Sequence, residues 1–307
     1  MTNHRLFTAA CLLASCLLLP NAVAVGYDAA SSKRPLVLAA TIFPAADIVR
    51  RVAGPDARVI QVLPAGASPH TFDLTAGQVR ELQSASIIFK IGAVDDWIDG
   101  VAESLPRAAI IPLHKGIALR PSHERGHDHG GEAASGHEEF DPHYWLSAAN
   151  GALMAANIAA ALSAADPSRA AVYDRNYRAY ARELTELHRQ LRRELSGLKN
   201  RKMIVLHDGW RYFAAAYGLE IAAVFQSSPG REPTPRAMRE LYAQVGRFGI
   251  RTVFSEPQLP TASLEPLLQD LGLKLVVLDP LGGTAAGESY AGLLRRNVLA
   301  VLAALRR

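Results

Sequence analysis

Cysteine is almost absent from this sequence, and both cysteines lie near its start. Cys11 and Cys16 are the only two in 307 residues. Both fall in a segment that we expect to be removed, so the mature chain would contain neither a disulfide nor a thiolate ligand. Any metal bound by the mature protein would then be held by imidazole and carboxylate groups, a set suited to an oxidising compartment.

A strong excess of charge is also missing. The formal net charge is +4, and aromatic residues make up 7% of the chain. Basic side chains are interleaved with acidic ones, and no basic patch is enriched in aromatic residues, the pattern typical of a nucleic-acid interface. We therefore expect no nucleic acid among the partners.

No apolar run in the first residues is long enough to span a bilayer, which takes about 20 residues. His4 and Arg5 precede an apolar run from Leu6 to Leu19, and residues 22–24 read Ala-Val-Ala, a small-x-small cleavage pattern. These features predict a signal peptide over residues 1–24 and a protein exported in soluble form to the periplasm. The segment ending at Cys16 resembles a lipoprotein box, but the apolar run continues beyond it, so anchoring through Cys16 is the less favoured alternative.

What the sequence does contain is a regular alternation of short apolar runs and amphipathic segments. Four predicted strands alternate with helices in residues 34–165, and four more do so in residues 199–307. This alternation is typical of parallel sheets covered by helices. The predicted fold is therefore α/β with two lobes, each a mostly parallel four-stranded sheet flanked by helices.

One long helix is predicted between the two lobes, over residues 166–198. Asp166 and Pro167 form a helix start, and Gly197 is a stop signal. Between them the large apolar side chains recur in steps of three and four, which places them on one face of a helix. These side chains are Tyr173, Tyr177, Tyr180, Leu184, Leu187, Leu191 and Leu198.

Four polar residues fall where parallel strands end or in the loops that follow, the place where α/β proteins bind ligands, and a fifth, His143, lies just before the helix predicted after Ser147. They are His70, His143, His207, Glu256 and Asp279. Taken singly each has an ordinary structural explanation, since a histidine is more often hydrogen-bonded than a ligand, Asp279 precedes a turn and Glu256 can cap a helix. Taken together, three imidazoles and a carboxylate would suit tetrahedral Zn²⁺ if the lobes face each other.

The order of motifs along the chain strengthens this interpretation. The motifs are TIFPAADIVRRVAG, VLPAGASPHTFDLTAGQ, IGAVDDWIDG, DPHYWLSAAN, VLHDGWRYFAAAYGLE, PGREPTPRAMREL, TVFSEPQ and LDPLGG. In this order the chain resembles the zinc- and manganese-binding extracytoplasmic proteins that feed cluster-9 metal ABC transporters. The resemblance implies two α/β lobes joined by one long helix with the metal between them, and it implies the ligands His70, His143, His207 and Asp279.

The third of these positions bears on the metal. Manganese-selective members of the resembled family typically carry a carboxylate where this chain has His207, and an imidazole there favours zinc because Mn²⁺ prefers oxygen ligands. The residues after His70 depart from the commoner motif of the family, which leaves Asp73 as a candidate partner of a ligand rather than an assigned one.

A histidine-rich segment over residues 114–139 shows no periodicity. It holds His114, His123, His127, His129 and His137 among glycines and acidic residues. A loop of this length and composition cannot form a packed core. Two interpretations stay open: a low-affinity collector of zinc that delivers to the cleft, and a dispensable solvated loop.

The sequence therefore predicts a non-enzymatic capture protein that binds Zn²⁺ and delivers it to the membrane permease of an ABC transporter. We expect a monomer, and a periplasmic zinc chaperone is a candidate further partner. A manganese- or iron-type protein of the same transporter family is the alternative. A zinc hydrolase with Glu256 or Asp208 as base is disfavoured, because Asp279 would close the metal shell and no His-Glu-x-x-His pair is present.

Overall fold

Two parallel sheets of four strands each organise the part of the chain that is described, which covers residues 35–121, 140–225 and 235–306 of a computed structural model. The first sheet contains β1 (Leu36–Ala40), β2 (Ala57–Gln61), β3 (Ile87–Lys90) and β4 (Ala109–Pro112). The second contains β5 (Lys202–Val205), β6 (Glu220–Val224), β7 (Thr252–Ser255) and β8 (Lys274–Val277). The prediction of four strands in each half of the chain is confirmed.

The two sheets share one topology. Their strand orders are β2-β1-β3-β4 and β6-β5-β7-β8, and every pair is parallel. In each sheet the chain leaves the two central strands towards opposite edges, which opens a crevice at their carboxyl ends. The second sheet places its crevice beside His207 and Glu256, which follow β5 and β7.

Helices cover both sheets and account for the rest of the regular structure. They are α1 (Phe43–Ala53), α2 (Ala76–Leu82), α3 (Ala148–Ala165), α4 (Ala170–Ser196), α5 (Arg211–Tyr217), α6 (Pro235–Phe248), α7 (Glu265–Asp270) and α8 (Tyr290–Leu305). Short 3-10 segments lie at Pro69–Thr71, Asp96–Ser104, His143–Leu146, Pro167–Arg169 and Ala262–Leu264. The predicted fold class, two parallel α/β lobes joined by a long helix, is confirmed.

The long helix differs from its prediction at the amino end. A 3-10 turn over Pro167–Arg169 precedes α4, and the Asp166 side chain makes no capping hydrogen bond to the backbone. Its carboxylate instead accepts hydrogen bonds from the hydroxyls of Ser168 and Tyr173, at 2.5 and 3.2 Å. With its carboxylate bound to these hydroxyls, Asp166 makes no capping bond, but the long helix is present from Pro167, with Pro167–Arg169 as its 3-10 first turn.

Helix α4 is about 40 Å long at 1.5 Å per residue, and its apolar stripe is buried as predicted. The buried members are Tyr173, Tyr180, Leu184, Leu187, Leu191 and Leu195, whereas Tyr177 is only partly buried. The helix packs on α1 and α3, which belong to the first lobe, and on α5 and α8, which belong to the second. One element therefore contributes to the core of both lobes.

Helix α3 is the alanine-rich helix predicted after Ser147. The Ser147 hydroxyl accepts a hydrogen bond from the backbone N–H of Asn150, so Ser147 caps the helix as expected. By length and composition α3 is also the one described helix that could cross a membrane. Its side chains Met154, Ile158 and Leu162 lie in the main hydrophobic cluster, which identifies α3 as a core helix.

Hydrogen bonds join the segment just before α3 to the second lobe. The indole Nε1 of Trp145 donates to the carbonyl oxygen of Pro280 at 2.8 Å, and the backbone N–H of Ala148 donates to the Tyr217 hydroxyl at 3.2 Å. The Tyr290 hydroxyl lies against the carbonyl oxygens of Trp145 and Ser147. Since Trp145 and Tyr290 are almost fully buried, these bonds fix the relation between the lobes.

The predicted signal peptide, Cys16 and most of the histidine-rich segment lie outside the described residues. So do residues 226–234, which hold the first part of the motif PGREPTPRAMREL. The histidine-rich segment is framed by an antiparallel bridge between Pro121 and Phe140, while His123, His127, His129 and His137 lie in the undescribed part.

We predict that Tyr290→Phe lowers the free energy of unfolding by about 1–3 kcal/mol, because it leaves the buried carbonyl of Trp145 without its donor. Urea unfolding of the metal-free protein measures this change as a lower midpoint at constant slope. Tyr242→Phe serves as the control, since Tyr242 is 46% exposed and should change stability by less than about 0.5 kcal/mol. Equal midpoints for the two variants would contradict the proposed role of Tyr290.

Candidate metal centre

The three histidines singled out in the sequence lie on three different segments. His207 follows the buried strand β5, His143 begins the 3-10 turn before α3, and His70 lies in the 3-10 turn after β2. Each is placed by a strand end or a tight turn rather than by a long loop. Such positions hold a side chain more rigidly than a loop would.

The structure brings these three imidazoles together. One potential ligand atom from each lies within 4.8 Å of the others, and no fourth residue joins this group among the described parts of the chain. The ring centroids are 5.5 Å apart for His70 and His143, 4.9 Å for His70 and His207, and 4.8 Å for His143 and His207. His143 and His207 are buried, and His70 is the most exposed of the three.

Asp141 orients His143. One carboxylate oxygen, Oδ1, lies 2.8 Å from the ring Nδ1 of His143 and 3.0 Å from its backbone nitrogen. An ionised carboxylate only accepts hydrogen bonds, so Nδ1 carries the proton. The lone pair of the imidazole is then on Nε2, where a metal would be bound.

Glu256 orients His207 in the same way. Its Oε1 lies 3.1 Å from Nδ1 of His207 and also accepts a hydrogen bond of 2.8 Å from the indole nitrogen of Trp210. All three side chains are almost fully buried. As at His143, the nitrogen left with a lone pair is Nε2.

Both carboxylates are ionised despite their burial. Burial by itself would raise the pKa of Asp141, but its hydrogen bond and charge interaction with His143 lower that pKa overall. Burial would likewise raise the pKa of Glu256, and the interactions with His207, His143 and Trp210 lower it overall. Two buried negative charges therefore lie directly behind two of the three imidazoles.

His70 is in a different position. Loss of hydration in the cleft, followed by the neighbouring imidazoles of His143 and His207, lowers the pKa of His70 to about 2. The ring is therefore neutral, the form that can coordinate a metal, over the whole range of neutral and mildly acidic pH. Its turn is held from outside by Trp97, whose indole nitrogen donates to the Pro69 carbonyl at 3.2 Å.

Asp279, the predicted fourth ligand, does not belong to the group of atoms formed by the histidines. Its Oδ1 accepts hydrogen bonds from the backbone nitrogens of Leu281 and Gly282 at 3.0 and 2.9 Å. Its Oδ2 lies 3.9 Å from the guanidinium of Arg296. Asn297 fixes its backbone on both sides, so Asp279 stabilises the loop after β8, and its role as a ligand stays a prediction.

Comparison with known proteins identifies the family. Residues 38–304 match the sequence profile of the family described as zinc-uptake complex component A, periplasmic, or ZnuA. The chain belongs to this family. The match covers both lobes and the long helix between them, and it includes every residue of the candidate centre.

Individual relatives share less than a third of their aligned residues with this chain. The zinc-binding lipoprotein AdcA of Streptococcus pneumoniae (strain ATCC BAA-255 / R6) is 29% identical over 277 residues, which cover 87% of this chain and 55% of AdcA. The high-affinity zinc uptake system protein ZnuA of Brucella abortus (strain 2308) is 28% identical over 255 residues, covering 72% of this chain and 76% of that protein. This chain thus spans about half the length of the AdcA relatives that it matches.

A solved structure agrees with the fold. The crystal structure of the Zn(II)-bound ZnuA-like domain of Streptococcus pneumoniae AdcA is 27% identical to this chain, with a TM-score of 0.73. The alignment covers 89% of this chain and all of that domain. The lobes and the long helix of this ZnuA-family protein therefore have a close counterpart in an experimental structure.

Two residues that matter to the centre of this ZnuA-family protein were missed by reasoning from the sequence. One is Asp141, whose signal was present as the acid two residues before His143 in the motif DPHYW. The other is Gly209, two residues after His207. A Cβ atom at Gly209 would lie 3.0 Å from the rings of both His143 and His207, so a side chain there would crowd the imidazoles.

Two further carboxylates considered in the sequence do not face the histidines. Asp208 pairs with Arg211, with 2.6 Å between Oδ1 and Nε. Asp73, the candidate partner of a ligand, is exposed, and no hydrogen bond from it to His70 is found among the described residues.

We predict that Gly209→Ala weakens binding of Zn²⁺ by roughly tenfold or more, about 1.4 kcal/mol, because the added methyl group displaces two buried imidazoles. Competition with a chromophoric chelator measures the dissociation constant. Gly246→Ala is the matched control, since a Cβ at Gly246 in α6 meets no atom within 4 Å. Equal affinities for both variants would show that the close approach at Gly209 is unimportant.

The lowered pKa of His70 predicts how stability depends on pH. Below the ordinary value of 6.5 the unfolded chain binds a proton at His70 that the folded chain does not bind. The free energy of unfolding therefore decreases as the pH falls below 6.5, because protonation of His70 favours the unfolded chain. In the presence of a chelator, the melting temperature of the wild type should fall more steeply from about pH 7.5 to about pH 4.5 than that of His70→Gln. Parallel curves would contradict this assignment.

Proposed function

We propose that this protein captures Zn²⁺ outside the cytoplasm and delivers it to the membrane permease of an ABC transporter. The observation that carries the proposal is the convergence of three imidazoles within 4.8 Å of one another between the two lobes. Membership of the ZnuA family and the zinc-binding names of the relatives support it. The family consists of components of zinc uptake rather than enzymes.

The type of donor supports zinc as the cargo. Three neutral imidazoles suit tetrahedral Zn²⁺. Mn²⁺ favours oxygen ligands and lies lowest in the Irving–Williams order, so three imidazole ligands disfavour the manganese alternative. The same order leads us to expect that Cu²⁺ binds in vitro as well.

We assign the ligands as Nε2 of His143 and His207, a ring nitrogen of His70, and the carboxylate of Asp279. For Asp279 the assigned atom is Oδ2, because Oδ1 already accepts two backbone hydrogen bonds. Arg296 lies 3.9 Å from that oxygen, but its closer partner is the buried carboxylate of Glu288, so the contact with Asp279 is the weaker of the two. Four protein ligands would close the coordination shell and leave no open position for the water that a catalytic zinc needs.

A zinc hydrolase would need a general base beside the metal, and neither carboxylate considered for that role suits it. Asp208 is paired with Arg211, and the oxygen of Glu256 nearest the centre is shared by His207 and Trp210. A general base must reach the water that it activates. Neither carboxylate is disposed to do so, which leaves capture as the function that we propose.

The cellular setting follows from the family in outline. Its members belong to zinc-uptake complexes that act outside the cytoplasm. In finer detail we propose that residues 1–24 are cleaved on export and that the mature protein is a soluble periplasmic monomer without an anchor at Cys16. We propose lobes over residues 34–165 and 199–307, joined by the helix over residues 166–198. A periplasmic chaperone that loads the protein is a further candidate partner.

Competitive titration of the metal-free mature protein with Zn²⁺ and Mn²⁺ tests the proposal. We expect one zinc site with a dissociation constant at or below the nanomolar range, about −12 kcal/mol. This site should survive deletion of residues 115–139 and collapse in His207→Ala. Preference for manganese would overturn the cargo assignment, and loss of tight binding with the deleted segment would overturn the cleft as the main site.

A further inference from the structure

We propose that Glu256 and Asp141 are positioning residues of the zinc site, each acting through one histidine rather than on the metal. Each carboxylate binds the Nδ1–H of its histidine and thereby turns Nε2 towards the metal. The role of zinc in this proposal rests on the proposed function. The orientation of the two rings does not, since it is a property of the protein itself.

The contacts of Glu256 leave its carboxylate little freedom. Its Oε1 receives both the Nδ1–H of His207 and the indole N–H of Trp210, at 3.1 and 2.8 Å. Trp210 is 1% exposed and packs edge-to-face on Phe213. The indole therefore fixes the carboxylate, and the carboxylate in turn fixes the imidazole.

Asp141 holds His143 at two points. The same oxygen accepts the backbone N–H and the ring Nδ1–H of His143, which closes a small ring of bonds within one turn of the chain. Asp141 is itself tied to the preceding segment, because its backbone N–H donates to the carbonyl of Arg120 at 2.9 Å. Hydrogen bonds within the protein thereby hold both the backbone and the ring of His143.

His70 has no such support among the described residues. It lies in the 3-10 turn after β2, its ring packs on the other two imidazoles of the centre, and no hydrogen bond between that ring and a carboxylate is found among the described residues. The centre therefore consists of a fixed pair, His143 and His207, with a third imidazole that completes it. Because two of the three imidazoles are already fixed, less conformational entropy is lost when a metal binds.

The two carboxylates also change the chemistry of the rings. A carboxylate on the distal nitrogen makes an imidazole a stronger donor, and removing such a partner typically weakens metal binding by about 10–100-fold. Neither carboxylate occupies a coordination position in this arrangement. The structure thus assigns Glu256 a part in zinc binding without making it a ligand.

The test compares substitutions that remove the negative charge of a carboxylate with a substitution that also removes its hydrogen bond to the histidine. Glu256→Gln keeps an oxygen that can accept from His207 and Trp210, whereas Glu256→Ala removes it. Asp141→Asn makes the corresponding change at the other ring. Asp208→Asn is the matched control, because Asp208 adjoins His207 in sequence but is paired with Arg211.

Two readouts are needed for each variant. The first is the dissociation constant for Zn²⁺ from chelator competition. The second is the tautomer of each imidazole in the metal-free protein, read from long-range ¹H–¹⁵N correlation spectra, which distinguish Nδ1–H from Nε2–H. A change that merely perturbs folding would not convert the tautomer of one chosen ring.

We expect Nδ1–H tautomers at His143 and His207 in the wild type and in Asp208→Asn. Glu256→Gln and Asp141→Asn should weaken zinc binding by roughly tenfold. Glu256→Ala should weaken it by up to about 100-fold and release the tautomer of His207. The proposal is overturned if Glu256→Ala keeps both the wild-type affinity and the wild-type tautomer.

Failure of the wider function would look different. A wild type with fixed Nδ1–H tautomers but no tight zinc binding would contradict the proposed cargo and leave the positioning role intact. A wild type that binds zinc tightly with mixed tautomers at His143 and His207 would contradict the positioning role and leave capture intact.

Discussion

The candidate centre depends on a fixed relation between the two lobes at the segment from His143 to Ala148. This segment carries one imidazole of the cluster, yet its hydrogen bonds to Pro280 and Tyr217 run to the lobe that carries His207. The main hydrophobic cluster continues from one lobe into the other through the long helix. The imidazoles of His143 and His207, which come from different lobes, therefore lie with their ring centroids 4.8 Å apart.

No cysteine follows Cys16 in the sequence, so the candidate centre is built from histidines without thiolate ligands. An imidazole is a weaker donor than a thiolate, so a site built from histidines gains most from being set in advance and from carboxylates behind its rings. Asp141 and Glu256 supply those carboxylates within the protein interior, where their negative charge acts strongly on a bound cation. Two of the three imidazoles of the centre therefore have a buried countercharge behind them.

The architecture is predicted well from the sequence because each strand and helix is determined by residues that are close together in the chain. Alternating apolar runs define all eight strands, and the stripe on α4 is visible without any homologue. The capping role of Asp166 is predicted wrongly, because its carboxylate binds the hydroxyls of Ser168 and Tyr173. The convergence of His70, His143 and His207 is not local, so it could be predicted only through a resemblance. Asp141 and Gly209 were missed because their roles depend on distances between segments.

Position 207 cannot be considered apart from position 256. The Oε1 atom of Glu256 lies 3.1 Å from the His207 ring, and both groups are buried. A carboxylate in place of His207, as manganese-selective relatives of the resembled family carry, would put two negative charges side by side in a region of low dielectric, which is strongly unfavourable. A change of ligand at 207 would therefore require a change at 256 as well. On the proposed assignment, a preference for zinc would depend on His207 and Glu256 together.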